Sequence, residues 1–305
     1  VPTKTQMPYE IVDVYSLSSV IGFVVTQHAL YLVDASNRNA SMPSAISTFY
    51  LPYGKVLNSK YYNGHLMYET TDGRIIVQNI VGSSGFGNAI ELCGYTGTVT
   101  DYDMSKYNYM VAIAGNGVYT YDTNGDLQWF IQDTTSNSFA MTKVATDNNL
   151  EYAVIASSSN SNVLKAYYDE SYSVNIQLPN NIKKVYAITY DTERIMAITD
   201  VNTLVCSYTL TVDQSGINTF SWGNYVTFGN ALNYPSSVRS GANYAGTSAR
   251  TLYIYDSNGN KAGDSPTSDV LTATDIAKLT GDFVMTGGSN GQVSILQNSG
   301  GGWEG

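Results

Sequence analysis

Histidine is the usual general base near neutral pH, and the chain holds two, His28 and His65. Each falls at or just before an apolar run, one repeat apart, with no Ser or Cys nucleophile at a readable spacing. Turn residues are expected there, and no catalytic residue is assigned. Ser265, preceded by Gly263 and Asp264 and followed by Pro266, would need a strained strand-to-helix turn and a base to serve as a nucleophile. No helix signal follows it, so a loop is expected. Glycoside hydrolysis needs two acids facing one sugar across ~5–10 Å, and Asp101, Asp103, Asp191 and Asp275 are the acids that an axial channel could gather. Asp122, Asn124 and Asp126 alternate as three oxygen ligands, and Asp256, Asn258 and Asn260 repeat the pattern more weakly. Calcium takes about six to eight oxygens, and here Leu127 follows where a loop glycine would stand and no Glu closes the set. Hairpin turns whose acids bond their own backbone are expected, with a calcium site as the alternative and no other cofactor. Cys93 and Cys206 have no second Cys or His at ligand spacing, which excludes a metal cluster and a disulfide framework. No bond between them is expected, because they fall in repeats far apart and a disulfide needs Cα atoms within ~7 Å.

Those residues sit in a chain of 305 with 15 Lys and Arg against 25 Asp and Glu, a formal charge of −10. Nucleic-acid binding requires clustered cations to displace counterions, and Lys183 with Lys184 is the longest basic run. Nucleic acid is excluded as a partner, and so is docking on anionic lipid. The best apolar stretch, 20–33, is broken by Thr26, Gln27 and His28 and falls short of the ~20 residues of a spanning helix, so membrane insertion is excluded too. Only 13% of residues are charged, while 26 are Tyr. Neutral polar surfaces of this kind are common in secreted and surface-assembly proteins, and the start at Val1 and Pro2 without Met fits either a processed mature protein, as secretion would give, or a trimmed fragment. An extracellular or surface location is expected, with Asn39 before Ala40 and Ser41 as an acceptor for glycosylation.

An apolar run closed by a polar residue recurs at 29–34, 74–79, 117–122, 164–169, 204–209, 251–256 and 293–298, with a mean spacing of 44 residues. A second apolar run precedes each, and Asp72 with Gly73, Asn116 with Gly117 and Asn290 with Gly291 stand between the two as two-residue hairpin turns. A third run follows most copies, as at 127–131, and a fourth opens each unit, as at 99–104. Four short strands per ~44 residues is the period of a propeller blade. Residues 269–278 are the nearest approach to a helical period and read as an inner strand.

The stretch 283–296, FVMTGGSNGQVSIL, resembles the middle hairpin of a WD-repeat blade, without its terminal Trp-Asp. The stretch 118–129, VYTYDTNGDLQW, resembles a quinoprotein-type blade with its aspartate turn and closing Trp. The resemblance implies an all-β, seven-bladed propeller of four-stranded antiparallel blades. One domain is expected, with blades at about 10–54, 55–97, 98–135, 139–180, 182–227, 231–268, and 269–305 joined by 1–8. Residues 3–7 are expected to supply the last outer strand and close the ring, since open edges invite aggregation; 301–305 are the alternative. In similar propellers the end carrying the turns between second and third strands contacts partners, which here selects His28, Asp72, Asn116, Asn160, Asn202, Arg250 and Asn290. The expected function is a non-enzymatic binding or assembly module with a protein partner, or a homo-oligomeric surface structure such as a filament. A carbohydrate-binding or glycan-active propeller is the alternative, with Trp129, Trp222, Trp303 and the Tyr61–Tyr62 and Tyr167–Tyr168 pairs as stacking rings. A redox quinoprotein is the remaining one.

Overall fold

The computed structural model describes residues 3–7, 9–16, 21–34, 45–62, 64–81, 86–105, 107–141, 153–157, 161–167, 173–187, 194–212, 218–237, 243–267, 269–276, 283–298 and 303–304. After β1 (Thr3–Gln6), blade 1 consists of β2 (Ile11–Ser16), β3 (Ile21–Thr26), β4 (Ala29–Asp34) and β5 (Ala45–Tyr50). Blade 2 is β6 (Val56–Tyr62), β7 (His65–Thr70), β8 (Ile75–Ile80) and β9 (Phe86–Leu92). Blade 3 is β10 (Val99–Met104), β11 (Tyr109–Ile113), β12 (Gly117–Tyr121) and β13 (Leu127–Gln132). Blade 4 is β14 (Ser136–Met141), β15 (Ala153–Ser157), β16 (Val163–Tyr167) and β17 (Ser173–Gln177). Blade 5 is β18 (Ile182–Ala187), β19 (Arg194–Thr199), β20 (Thr203–Val212) and β21 (Asn218–Phe228). Blade 6 is β22 (Asn233–Ser237), β23 (Asn243–Ser248), β24 (Thr251–Asp256) and β25 (Lys261–Pro266). The last sheet contains β26 (Leu271–Ile276), β27 (Phe283–Gly288), β28 (Gln292–Asn298) and β29 (Trp303–Glu304).

Blades 1 to 6 are four-stranded antiparallel sheets in chain order. Six regular four-stranded blades thus replace the seven expected, because the last repeat builds a five-stranded sheet from both chain ends. On β28, β1 pairs with Gln292 to Ile295 and β29 with Gln297 and Asn298. Both candidates for the outer strand are used at once, since β1 has four residues and β28 has seven.

The chain forms two compact units, unit 1 being Val1–Ala89 with Leu232–Gly305 and unit 2 Ile90–Ala231. Second and third strands are buried on both faces, which is why they read as continuous apolar runs: β11 is buried throughout. Outer strands are more open: β13 has one buried residue, and β25 has none and alternates between exposed and half-buried positions over most of its length. No single sheet hides its apolar faces, so each core lies between blades. In unit 1, Phe23, Val25 and Leu30 pack with Leu66, Tyr68 and Ile76. In unit 2, Leu164 and Ala166 pack with Ile195, Leu204 and Cys206. Small residues stand where neighbours approach: a Cβ at Gly22 would lie 2.8 Å from the Met285 sulfur.

Two local features differ from the sequence reading. The turns at Asp72 and Asn290 are not two-residue loops. Gly73 N–H donates to the Thr70 carbonyl at 3.0 Å and Gly291 N–H to that of Gly288 at 3.1 Å. Only the closing glycines, at φ 84 and 85, enter the left-handed region, which makes these type I turns followed by a glycine. At the third site Gly115, and not the expected pair, carries the turn, and Gly117 already begins β12. The second feature is a register shift near the start of every first strand: Ile11/Asp13, Val56/Asn58, Val99/Asp101, Ser136/Ser138, Ile182/Lys184, Asn233/Ser236 and Leu271/Ala273. Each bulge re-aims a side chain, so that Leu57 stands exposed next to buried Val56 and Tyr234 stands exposed two residues after buried Leu232.

Candidate binding face

Each blade places its second-to-third-strand turn and its connection to the next blade at one end, here called the turn end. Backbone hydrogen bonds lock this end in a repeating pattern. In blade 1, Leu51 N–H donates to the His28 carbonyl and Val56 N–H to that of Gln27, while Thr71 of blade 2 donates to Lys55. Leu178, Ile182 and Asp200 repeat these three bonds to Asn162, Ser161 and Asn181, and Thr267, Leu271 and Ser289 repeat them to Arg250, Ala249 and Val270. A turn held at both flanks presents its side chains rigidly, which lowers the ordering cost of binding.

Six of the seven residues expected on this face lie in these turns; Asn160, like the glycosylation candidate Asn39 and the acid Asp191, lies outside the described residues. His28, Asp72, Arg250 and Asn290 belong to unit 1, and Asn116 and Asn202 to unit 2. Several are committed to building the turn. The Asp72 carboxylate accepts from the Thr70 hydroxyl, Asn116 Nδ2 donates to Tyr119 Oη at 2.8 Å, and Asn202 Oδ1 accepts from Thr199 Oγ1 at 2.6 Å. Asp269, buried in the connection before β26, receives the Ser289 hydroxyl at 3.0 Å and the Asn290 N–H at 3.0 Å.

The large exposed apolar side chains mark this end more clearly than the expected polar set. In unit 1 Tyr9, Tyr50, Leu57, Tyr234 and Val270 stand there, Tyr50 at 70% exposure, and in unit 2 Val201 does. Tyr9 packs edge-on against His28 with ring centroids 5.1 Å apart, and the Tyr31 hydroxyl beside Tyr50 and Tyr9 is raised above the usual tyrosine range, chiefly by burial. The inner-strand bulges differ between units: unit 1 presents Val12, Leu57, Tyr234 and Thr272, unit 2 Thr100, Asn137 and Lys183. Sequence reasoning missed these positions. Aligning the seven first strands on their opening residue would have found them, since the bulge residue is the next one along.

The remaining candidates are structural. His28 and His65 lie at opposite ends of their sheets, one in a second-to-third-strand turn and the other opening β7. Ser265 lies on β25 paired with Leu252, and not in the loop expected, because 261–266 continue the outer-strand alternation; Asp264 there bonds Lys261 at 2.8 Å. Asp101 accepts from Ser138 Oγ at 2.7 Å, and Ser138 in turn accepts the Val185 N–H at 3.0 Å, a relay that ties three first strands. Asp13 receives Ser59 and Tyr15 hydroxyls in the same way. Asp103 is buried and accepts the Met104 N–H, while Asp275 lies on β26. Asp122 Oδ1 accepts the N–H groups of Asn124 and Asp126, both at 2.9 Å, and Asp256 repeats this with Asn258 and Asn260. Its turn N–H donors, that of Asn260 foremost, hold the Asp256 carboxyl below the usual range. Among the described residues no three His, Cys, Asp or Glu side chains gather as a metal set. Trp222 donates to the Val174 carbonyl at 3.0 Å, and the β20–β21 hairpin thereby lies against β17. Trp129 packs on the Met110 and Val118 core. Tyr61 is wedged between Tyr15 and Phe23, and Tyr167 is buried. Trp303 lies on β29, and Tyr168 falls outside the described residues. Both cysteines are free thiols, Cys93 exposed and Cys206 buried with its thiol pushed up to about 12 by burial.

No family model and no curated protein matches the chain. Solved structures do. The WD40 β-propeller domain of Doa1 superposes with a TM-score of 0.67 at 12% identity, over 97% of this chain and 95% of that one. Raptor from Chaetomium thermophilum gives 0.69 at 12% identity, with this chain spanning 28% of its length, and the computationally designed Ika8 protein gives 0.64 at 13%, over 96% of this chain and 98% of that one. The fold is therefore an all-β propeller of the WD40-like kind, built from four-stranded antiparallel blades.

Proposed function

We propose that the protein is a non-enzymatic binding and assembly module that engages a protein partner through its turn end, at the cell surface or outside the cell. One observation carries this reading: among the described residues, the large exposed apolar side chains of unit 1 concentrate on a backbone-locked end, with Tyr9, Tyr50, Leu57, Tyr234 and Val270 there against Val81 elsewhere. Exposed apolar groups grouped in this way mark interaction sites. WD40-type propellers commonly serve protein–protein contacts, which supports the choice of partner. The ionisable side chains of the same end are spent largely on turns, which favours recognition over chemistry. The scarce charge and the Tyr, Ser, Thr and Asn-rich surface support the extracellular setting.

The test is chemical cross-linking with mass spectrometry in the native source, followed by binding of the recovered partner to R250E and Y50K variants. Cross-links confined to outer strands, or a partner indifferent to both substitutions, would refute the reading. The exposed ring of Tyr50 also supports a glycan partner, because neutral aromatic faces stack on sugars; a glycan array with no hit that depends on Tyr50 removes that alternative.

A further inference from the structure

Two copies of a chain carrying −10 repel each other, so they can meet only where the surface is locally neutral and apolar. The turn end of unit 1 has this character. Its exposed charges among the described residues are Lys55 and Arg250 against Glu10 and Asp72, a balance of zero. Between them stand Tyr9, Leu57, Tyr234 and Val270, each at least 39% exposed. The inner strands carrying Tyr234, Thr272, Val12 and Leu57 are neighbours, β22 packing on β26, β26 on β2 and β2 on β6. Tyr234 adds an independent sign: its φ is 47, a left-handed backbone unusual for an aromatic residue. Its carbonyl is held by the Thr274 hydroxyl, while 46% of the residue is exposed. Strain kept at an exposed ring marks a site where the ring itself is used.

We propose that the turn end of unit 1 docks onto the same end of a second copy, an isologous contact in which each mixed-charge apolar surface meets its own image. Such a patch is self-complementary: Lys55 and Arg250 of one copy can face Glu10 and Asp72 of the other. The inference rests on the turn end being the binding face and names the partner as the chain itself.

The experiment is sedimentation velocity of the purified chain from about 1 μM to 1 mM at low and high salt. The expected result is a reversible monomer–dimer equilibrium that persists at high salt, where screening weakens the exposed ion pairs but also removes the long-range repulsion between like-charged copies and leaves the apolar contact. Y234N keeps a residue tolerant of the left-handed region and removes the ring. It should weaken the dimer at least tenfold while the melting temperature holds or rises. L57K should weaken it similarly, and L127K, at the opposite end of blade 3, should leave it unchanged. A monomer across the whole range overturns the proposal, as does a dimer equally tight in Y234N and L57K. A monomer that still binds a different protein through the turn end overturns the second copy alone and leaves the binding module standing.

Discussion

Removing Asp133 is the most informative single perturbation of the fold. Its carboxylate, 3% exposed, lies in the connection between blades 3 and 4. Oδ2 accepts from Lys165 Nζ at 3.0 Å and from Tyr167 Oη at 3.0 Å. Oδ1 accepts the Thr135 N–H at 2.9 Å and its hydroxyl at 2.7 Å. Burial by itself would raise the Asp133 pKa, but the hydrogen bonds from Thr135 and Lys165 outweigh it and hold the carboxyl below the ordinary range. Burial, and after it the same carboxylate, push the Tyr167 hydroxyl up to about 12. Breaking a buried ion pair by deleting one partner costs ~3–5 kcal/mol. The Lys165 side chain, 23% exposed, can turn its ammonium to water, so D133A is expected near the low end, about 3 kcal/mol. D133N keeps the Thr135 contacts but turns an amide toward two donors, at about 2 kcal/mol. A carboxyl lowered in the folded state stabilises above its unfolded pKa, ~3.9, and that contribution is lost as pH falls through the folded value. The gap between wild type and D133N should therefore be full at neutral pH and narrow once pH drops below the ordinary carboxylate range. Urea unfolding followed by Trp fluorescence measures both. A D133A loss under ~0.5 kcal/mol, the level of an ordinary surface change, or a gap indifferent to pH, would refute the reasoning.

Further expectations are more local. One thiol, Cys93, should react quickly with a disulfide reagent in the native protein, and Cys206 only on unfolding; two fast thiols would contradict the burial of Cys206. Ala249 sits at φ 50 as the first loop residue of the Ser248–Thr251 hairpin, a position that suits glycine. A249G should therefore raise stability by ~0.5–1 kcal/mol, the strain of a left-handed non-glycine residue less glycine's entropy, as read by denaturant midpoint. Adding calcium should leave the melting temperature unchanged, because Asp122 Oδ1 is already shared by two turn N–H groups; a rise that disappears in D122A would show an ion at that loop. The same D122A substitution without calcium should cost ~1 kcal/mol, the worth of the turn's hydrogen bonds.

Strand positions were legible because they depend on local alternation. The runs at 29–34 and 251–256 appear as β4 and β24 with those bounds, and 269–278 encloses β26. The period of 44 residues was legible for the same reason: each blade is one hairpin-rich unit whose apolar faces must be repeated to be hidden. Turn class was not, since Asp with Gly serves either a two-residue loop or a type I turn closed by glycine, and the flanking register chooses between them.

The amino-acid sequence by itself determined the class of structure and the strand order within each repeat, which follow from residue type and nearest-neighbour spacing. Tertiary structure decided the rest. It divided the last outer edge between β1 and β29, nearly 300 residues apart. It turned Trp222 and Tyr61 inward and left Tyr50, Leu57 and Tyr234 outside. Whether a given side chain packs or is presented depends on the bulge beneath it, set by pairing with the next strand of the same blade, and on the neighbouring blade, a separate repeat of the chain.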